Sequence, residues 1–292
     1  MALSARHLAF LAMIGAMTIY GTNFAISRHG LLNGLTPNDL TALRFTFAGV
    51  VLLPIFLKAG LRDCAGIGWG RGIVLTIMSG LPMTLLMMQG LALSPAAHGA
   101  AIGPGTVTVI GALGGLVIFG IRPGRNTVIG IAIVLAGLAL IALSATASGA
   151  GNVLLGDLCF FGVGIIWGGY PLMLQLWKVD ALKATAVLSV LSMAMFLPYY
   201  LATSASHLLT VSPGVILLHG INQGILNVVL GLWLWGWAVA KIGVAVAGRF
   251  PPLIPVIGAV SAIPLLGEWP VPLQWAGIAL IVGGLVITTL RR

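Results

Sequence analysis

The sequence predicts an all-α integral membrane protein: ten transmembrane helices in two inverted five-helix repeats, with both termini cytoplasmic. Three observations predict it. Of 292 residues, 59% are hydrophobic and only 7% charged, against about 25% charged in a soluble domain, and the mean hydropathy is +1.13. The apolar residues gather into ten runs of spanning length. The second half of the chain resembles the first at a shift of 147 residues.

The runs can be taken in order. Segment 1, at 8–27, follows Arg6. It is longer than a signal-peptide core and has no small-residue cleavage site, so it is expected to be kept as the first span. Segments 2 and 3, at 39–57 and 72–93, are parted by "KAGLRDCAGIGWGR". Segments 4 and 5, at 97–119 and 127–145, are parted by "IRPGRN". Segments 6 and 7 fall at 153–175 and 184–203, segments 8 and 9 at 213–235 and 242–266, and segment 10 at 273–290. Gly, Pro and charged residues punctuate every break. The runs lack the strict apolar–polar alternation of barrel strands, which excludes a β-barrel.

The net charge of +9 would suggest nucleic acid in a soluble protein. Here the basic residues are scattered between apolar runs, which reads as topology and excludes a nucleic-acid partner. With the N-terminus inside, 11 of the 14 Lys and Arg residues fall in cytoplasmic positions. The exceptions are Arg28, in an outer loop, and Arg44 and Arg249 within segments. Asp39, Asp157 and Glu268 fall at outer ends. Cys64 and Cys159 have neither disulfide nor metal-ligand spacing, and no cofactor or metal is expected. GxxxG spacings at Gly111/Gly115, Gly164/Gly168 and Gly220/Gly224 read as helix packing.

At the shift of 147, "PGTVTVIGALGGLVIFGIRPGRNTVIGIAIVLAGL" lies over "PPLIPVIGAVSAIPLLGEWPVPLQWAGIALIVGGL" with 12 identities in 35 positions. They include Pro104/Pro251, Ile110/Ile257, Gly120/Gly267, Gly130/Gly277 and Gly137/Gly284. Tyr20-Gly21 falls on Trp167-Gly168. Residues 1–147 and 148–292 are therefore read as two units of five spans, and an odd number of spans inverts the second copy.

"YGTNFAISRHGL", "LTPNDLTALRFTFAGVVLLP", "GDLCFFGVGIIWGGYPL" and "LLGEWPVPLQWAGIALIVGGLVI" resemble the drug/metabolite transporter superfamily, specifically its ten-helix exporters with two EamA-type repeats. Within it the chain looks most like the YddG-type exporters of aromatic amino acids. The resemblance spans essentially the whole chain. It implies a multi-pass protein of the bacterial inner membrane that exports a small molecule by alternating access, acting as a monomer. Gly267-Glu268 keeps a family dipeptide that repeat one replaces by Gly120-Ile121.

No Walker A pattern is present and the loops are too short for a nucleotide-binding domain, so ATP-driven pumping is excluded. The candidate substrate-binding residues fall into three groups. Pro104 and Pro251 mark two broken helices whose freed carbonyls (Ala100; Ala247, Gly248 and Pro251) would line a cavity or merely shape packing. Tyr20 and Trp167, at equivalent positions in mid-segment, would face each other and stack on a substrate, or pack as core. Asn23, Gln89, Asn222, Gln223 and Asn227 can bond a zwitterion or a neighbouring helix. Arg249, deep beside "FPP", is a candidate for a substrate carboxylate, whereas Arg44 is near enough to an end to snorkel. His98 and His219 are expected to be hydrogen-bonded structural histidines. Three functions stay open: export of neutral bulky amino acids, export of other hydrophobic metabolites or drugs, and a membrane-embedded enzyme. The last would need a cluster of His, Asp or Glu, and those residues are dispersed.

Overall fold

The computed structural model describes residues 5–147, 151–242, 244–247 and 250–290. The chain forms α1 (Ala5–Leu32), α2 (Pro37–Ala59), α3 (Trp69–Leu93), α4 (Ala96–Phe119), α5 (Arg125–Ala147), α6 (Gly151–Trp177), α7 (Ala181–Thr203), α8 (Pro213–Ile242), α9 (Leu253–Leu266) and α10 (Pro272–Thr289). Among the described residues nine of these are long and apolar enough to cross a membrane. The exception, α9, is only 14 residues long. The helices overlap the apolar runs, except that α8 runs on to Ile242 and α9 begins only at Leu253, well inside the run expected at 242–266. Thr36 and Asp39 form a capping box at the start of α2, and Asp180 accepts from the Lys183 amide at the start of α7, at 2.9 Å.

Each repeat packs against the other in matching pairs. The contacts of α1 with α9 and α8 have counterparts in those of α6 with α4 and α3, while α2 meets α7 and α5 meets α10. The glycines shared between repeats explain the matching. A Cβ on Gly21 would come 2.8 Å from Ile257, and one on Gly168 would come 2.8 Å from Ile110, its repeat equivalent. At the α5–α10 crossing, Gly130 backs onto the Gly284 carbonyl and Gly137 onto the Gly277 carbonyl. A Cβ would stand 2.5 and 2.7 Å from those oxygens. Both repeats also close their fourth helix alike. Gly120 and Gly267 are left-handed, at φ 66° and 68°, and the next amide reaches back to Gly115 and Ala262 respectively.

Three helices differ from their sequence-based description. The α4 helix runs unbroken through Pro104, so the first expected break is an internal proline in a continuous, buried stretch. The second break is real. Val244–Ala247 is helical, Phe250–Pro252 form a turn, and α9 starts at Leu253, because adjacent prolines supply no amide to continue the ladder. A third, unforeseen break divides α3 at Gly80, where the Leu81 amide is capped by the Ser192 hydroxyl of α7 at 3.1 Å. At the equivalent place in repeat two, Ile221–Leu230 of α8 is wound as a π-helix.

Candidate functional site

The antiparallel seam of α1 and α8 holds a ladder of polar side chains. On α1, Tyr20, Asn23, Ser27 and Gly30 recur every three or four residues and so share one face. On α8, the wider π winding brings Asn222, Gln223 and Asn227 into the buried interior, and such π segments are frequent at functional sites. The rungs are specific. The Tyr20 ring lies where a Cβ on Gly231 would be 2.8 Å away. The Asn222 amide donates to Asn23 Oδ1 at 3.0 Å. The Gln223 amide donates to Ser27 Oγ at 2.5 Å, and Ser27 donates to the Asn23 carbonyl at 2.5 Å. Gly30 makes room for the His219 ring.

A third helix closes the ladder. Arg44 of α2 donates from its guanidinium to Gln223 Oε1 at 3.2 Å. It points into the bundle instead of snorkelling out, which corrects the sequence reading. His219 also departs from expectation. It is fully buried, and neither ring nitrogen has a hydrogen-bond partner.

The structure therefore brings together Tyr20, Asn23 and Gln223, with Asn227 buried on the same π segment. It does not bring in the others. Gln89 is exposed on α3. Trp167, at 37% exposure, does not share the surroundings of Tyr20, which packs among the buried residues of the α1–α8–α9 cluster. Pro104 is buried within α4. Pro251 sits in the turn before α9, and its carbonyl is not free: the Ile254 amide bonds it at 3.0 Å. The Ala247 carbonyl likewise accepts from Phe250 at 3.1 Å. Tight turns have re-satisfied these two carbonyls. Arg249 and Gly248 lie outside the described residues. Sequence reasoning missed Ser27, although its spacing of four from Asn23 places it on the same face.

One end of the bundle, bearing the α1–α2, α3–α4, α7–α8 and α9–α10 connections, is tied by three clusters, each built on a carboxylate. Arg28 lies inside α1, not in a loop. It pairs with Glu268 and donates to the Leu91 carbonyl at 2.5 Å, while Glu268 also accepts from the Ala96 amide at 2.9 Å. Buried His98 meets the Asp157 carboxylate at 2.9 and 3.0 Å, which also takes the Ser94 hydroxyl at 2.6 Å. Gln274 of α10 reaches the other His98 nitrogen at 2.7 Å. Asp39 accepts from the Tyr200 hydroxyl at 2.5 Å and meets His207 at 3.0 Å. The acids at the expected outer ends thus serve as cross-links between helices. At the opposite end, a cavity of about 330 Å³ opens among Gly111, Gly115, Phe119, Arg122, Leu172 and Gln175.

Comparison with known proteins matches this architecture. The sequence profile of the EamA-like transporter family fits residues 7–143 and again residues 154–290. Both the starts and the ends of the two matches lie 147 residues apart (7 to 154, 143 to 290). One solved crystal structure is 21% identical over 97% of this chain and 98% of its own, with a TM-score of 0.63, a likeness of fold. No curated protein matches the chain.

Proposed function

The chain belongs to the EamA-like transporter family, and from that premise we propose that it exports amino acids, aromatic and other neutral bulky ones. Its place is the bacterial inner membrane, with both termini cytoplasmic, and it works as a monomer by alternating access. The observation that carries the reading is the ladder of Asn23, Ser27, Asn222 and Gln223. These uncharged donors and acceptors lie beside the Tyr20 ring, in the seam between the first helix of one repeat and the third helix of the other. Neutral amides suit a zwitterion, whose two charges need hydrogen bonds at low desolvation cost. Among the described residues the seam holds no carboxylate, which disfavours cationic drugs as cargo.

Alternating access draws support from the two ends. On this reading the Arg28–Glu268, His98–Asp157 and His207–Asp39 contacts close the end that the charge asymmetry makes external. Opening it requires those contacts to part, which binding in the seam would have to favour. The test is tracer flux in proteoliposomes for a panel of amino acids, with and without a pH gradient. Flux of phenylalanine, tryptophan, threonine or methionine is the expected result. Flux of a cationic dye with none of these would overturn the reading.

A further inference from the structure

The chain has five carboxylates, and none of them serves Arg44. Asp39 is taken by Tyr200, His207 and Thr36, and Asp157 by His98 and Ser94. Glu268 pairs with Arg28. Asp180 caps α7, and Asp63 sits in the α2–α3 connection. Arg44 instead meets a neutral amide oxygen, that of Gln223. A guanidinium inside a membrane span is costly and ordinarily pairs with an anion.

The neighbours of Arg44 hold it without neutralising it. Hydrogen bonds run in one direction, from Arg44 to Gln223, from Gln223 to Ser27, and from Ser27 to the Asn23 carbonyl. The Gln223 amide nitrogen is committed to Ser27, so its oxygen is fixed toward the guanidinium. One acceptor leaves most of the five guanidinium donors to be answered by something else. Arg44 is half-buried. Four residues before Gln223, the buried His219 ring adds two nitrogens that lack partners.

We propose that Arg44, positioned by Gln223, binds the carboxylate of the transported substrate at the α1–α2–α8 junction. The planar fork of a guanidinium matches a carboxylate in two parallel hydrogen bonds. The cargo class is thereby a molecule with a free carboxylate beside an apolar body. This assignment rests on the transporter reading above but not on the amino group of the cargo, and it puts carboxylate recognition on α2.

The test uses the full chain in phosphatidylcholine vesicles, with labelled phenylalanine as tracer. The competitors are 3-phenylpropionate, which keeps the carboxylate and lacks the amine, and phenylalaninamide, which lacks the carboxylate. Wild type is expected to be inhibited by 3-phenylpropionate and not by the amide. Arg44→Lys should raise KM about tenfold, because a point charge replaces the fork. Arg44→Gln should raise it on the order of 100-fold and erase the preference between competitors. Gln223→Glu is the decisive variant. It supplies an internal carboxylate, so the chain should fold with an unchanged or higher melting temperature yet lose the preference. A folded Arg44→Gln or Gln223→Glu protein that still prefers 3-phenylpropionate overturns the assignment.

A parallel melting experiment in detergent separates this assignment from the amino-acid reading. An Arg44-dependent stabilisation by 3-phenylpropionate without amino-acid flux keeps the anchor and rejects the amino-acid reading. Amino-acid flux untouched by both variants rejects the anchor alone. Wild type that responds to no carboxylate in either assay also rejects it.

Discussion

Arg28 and Glu268 form an ion pair across 240 residues of sequence, joining the first helix of one repeat to the fourth-helix cap of the other. Both side chains are largely shielded, at 17% and 20% exposure, and each has a second, backbone partner in the α3–α4 region. Glu268→Gln leaves Arg28 without its counter-ion and should cost about 2 kcal/mol. The charge-swapped pair Arg28→Glu with Glu268→Arg should recover part of the loss. Thermal melting of the two singles and the double gives the coupling, and strict additivity would sink the idea that this pair holds the end shut.

The α5–α10 crossing has no space for a methyl group. A Cβ on Gly137 would stand 2.7 Å from the Gly277 oxygen, whereas one on Gly283, also in α10, meets nothing within 4 Å. Gly137→Ala is expected to lower stability by about 1–3 kcal/mol, with Gly283→Ala neutral. Equal melting temperatures for the two variants would show that the crossing tolerates separation.

His98 is the hub of a buried cluster that draws on α4, α6 and α10. Asp157→Ala leaves His98 and Ser94 facing an empty acceptor position and should cost about 3 kcal/mol. Asp157→Asn, which can still accept, should cost less than half of that. Chemical unfolding in mild detergent compares the two, and an alanine variant as stable as the asparagine variant contradicts the hub role.

Cys64 lies in the connection between α2 and α3 and is fully buried. Burial, and after it the Asp63 carboxylate, push its thiol above the ordinary value. A raised pKa means less thiolate at neutral pH, and thiolate is the reacting form. Alkylation of Cys64 by a water-soluble maleimide should be slow at pH 7, rise with pH about tenfold per unit, and become fast on unfolding. Fast, pH-independent labelling of the native protein would contradict it.

Much of the fold was legible because membrane helices advertise themselves by length and composition, and because repeat two kept the glycines that packing needs. The pairs Gly120/Gly267, Gly130/Gly277 and Gly137/Gly284 could be read from sequence, and each has a structural cause. Two of the carbonyls that the prolines were expected to free are bonded. A proline removes one amide, but neighbouring amides at Phe250 and Ile254 re-bonded the carbonyls it released, and no local pattern reveals that. The π winding of α8 and the inward aim of Arg44 were equally hidden. Arg44 and Gln223 are 179 residues apart, so the side chain's direction depends on a partner that sequence distance conceals. The amides Asn23 and Gln223 were found because polar residues in an apolar run are rare. Ser27 was hidden because a serine in an apolar run has a bland local explanation, and the missing partners of His219 have no sequence signal at all.

The swapped glycine contacts of α5 and α10 carry one more consequence. Gly130 rests on Gly284 and Gly137 on Gly277, yet Gly130 is the repeat counterpart of Gly277 and Gly137 that of Gly284. Exchange of the two repeats therefore maps the interface onto itself, which is the property of an isologous contact between identical subunits. Each half carries the whole of a self-complementary surface. Two copies of a single five-helix half, threaded into the bilayer in opposite senses, would already have had the seam along which this chain now joins to itself.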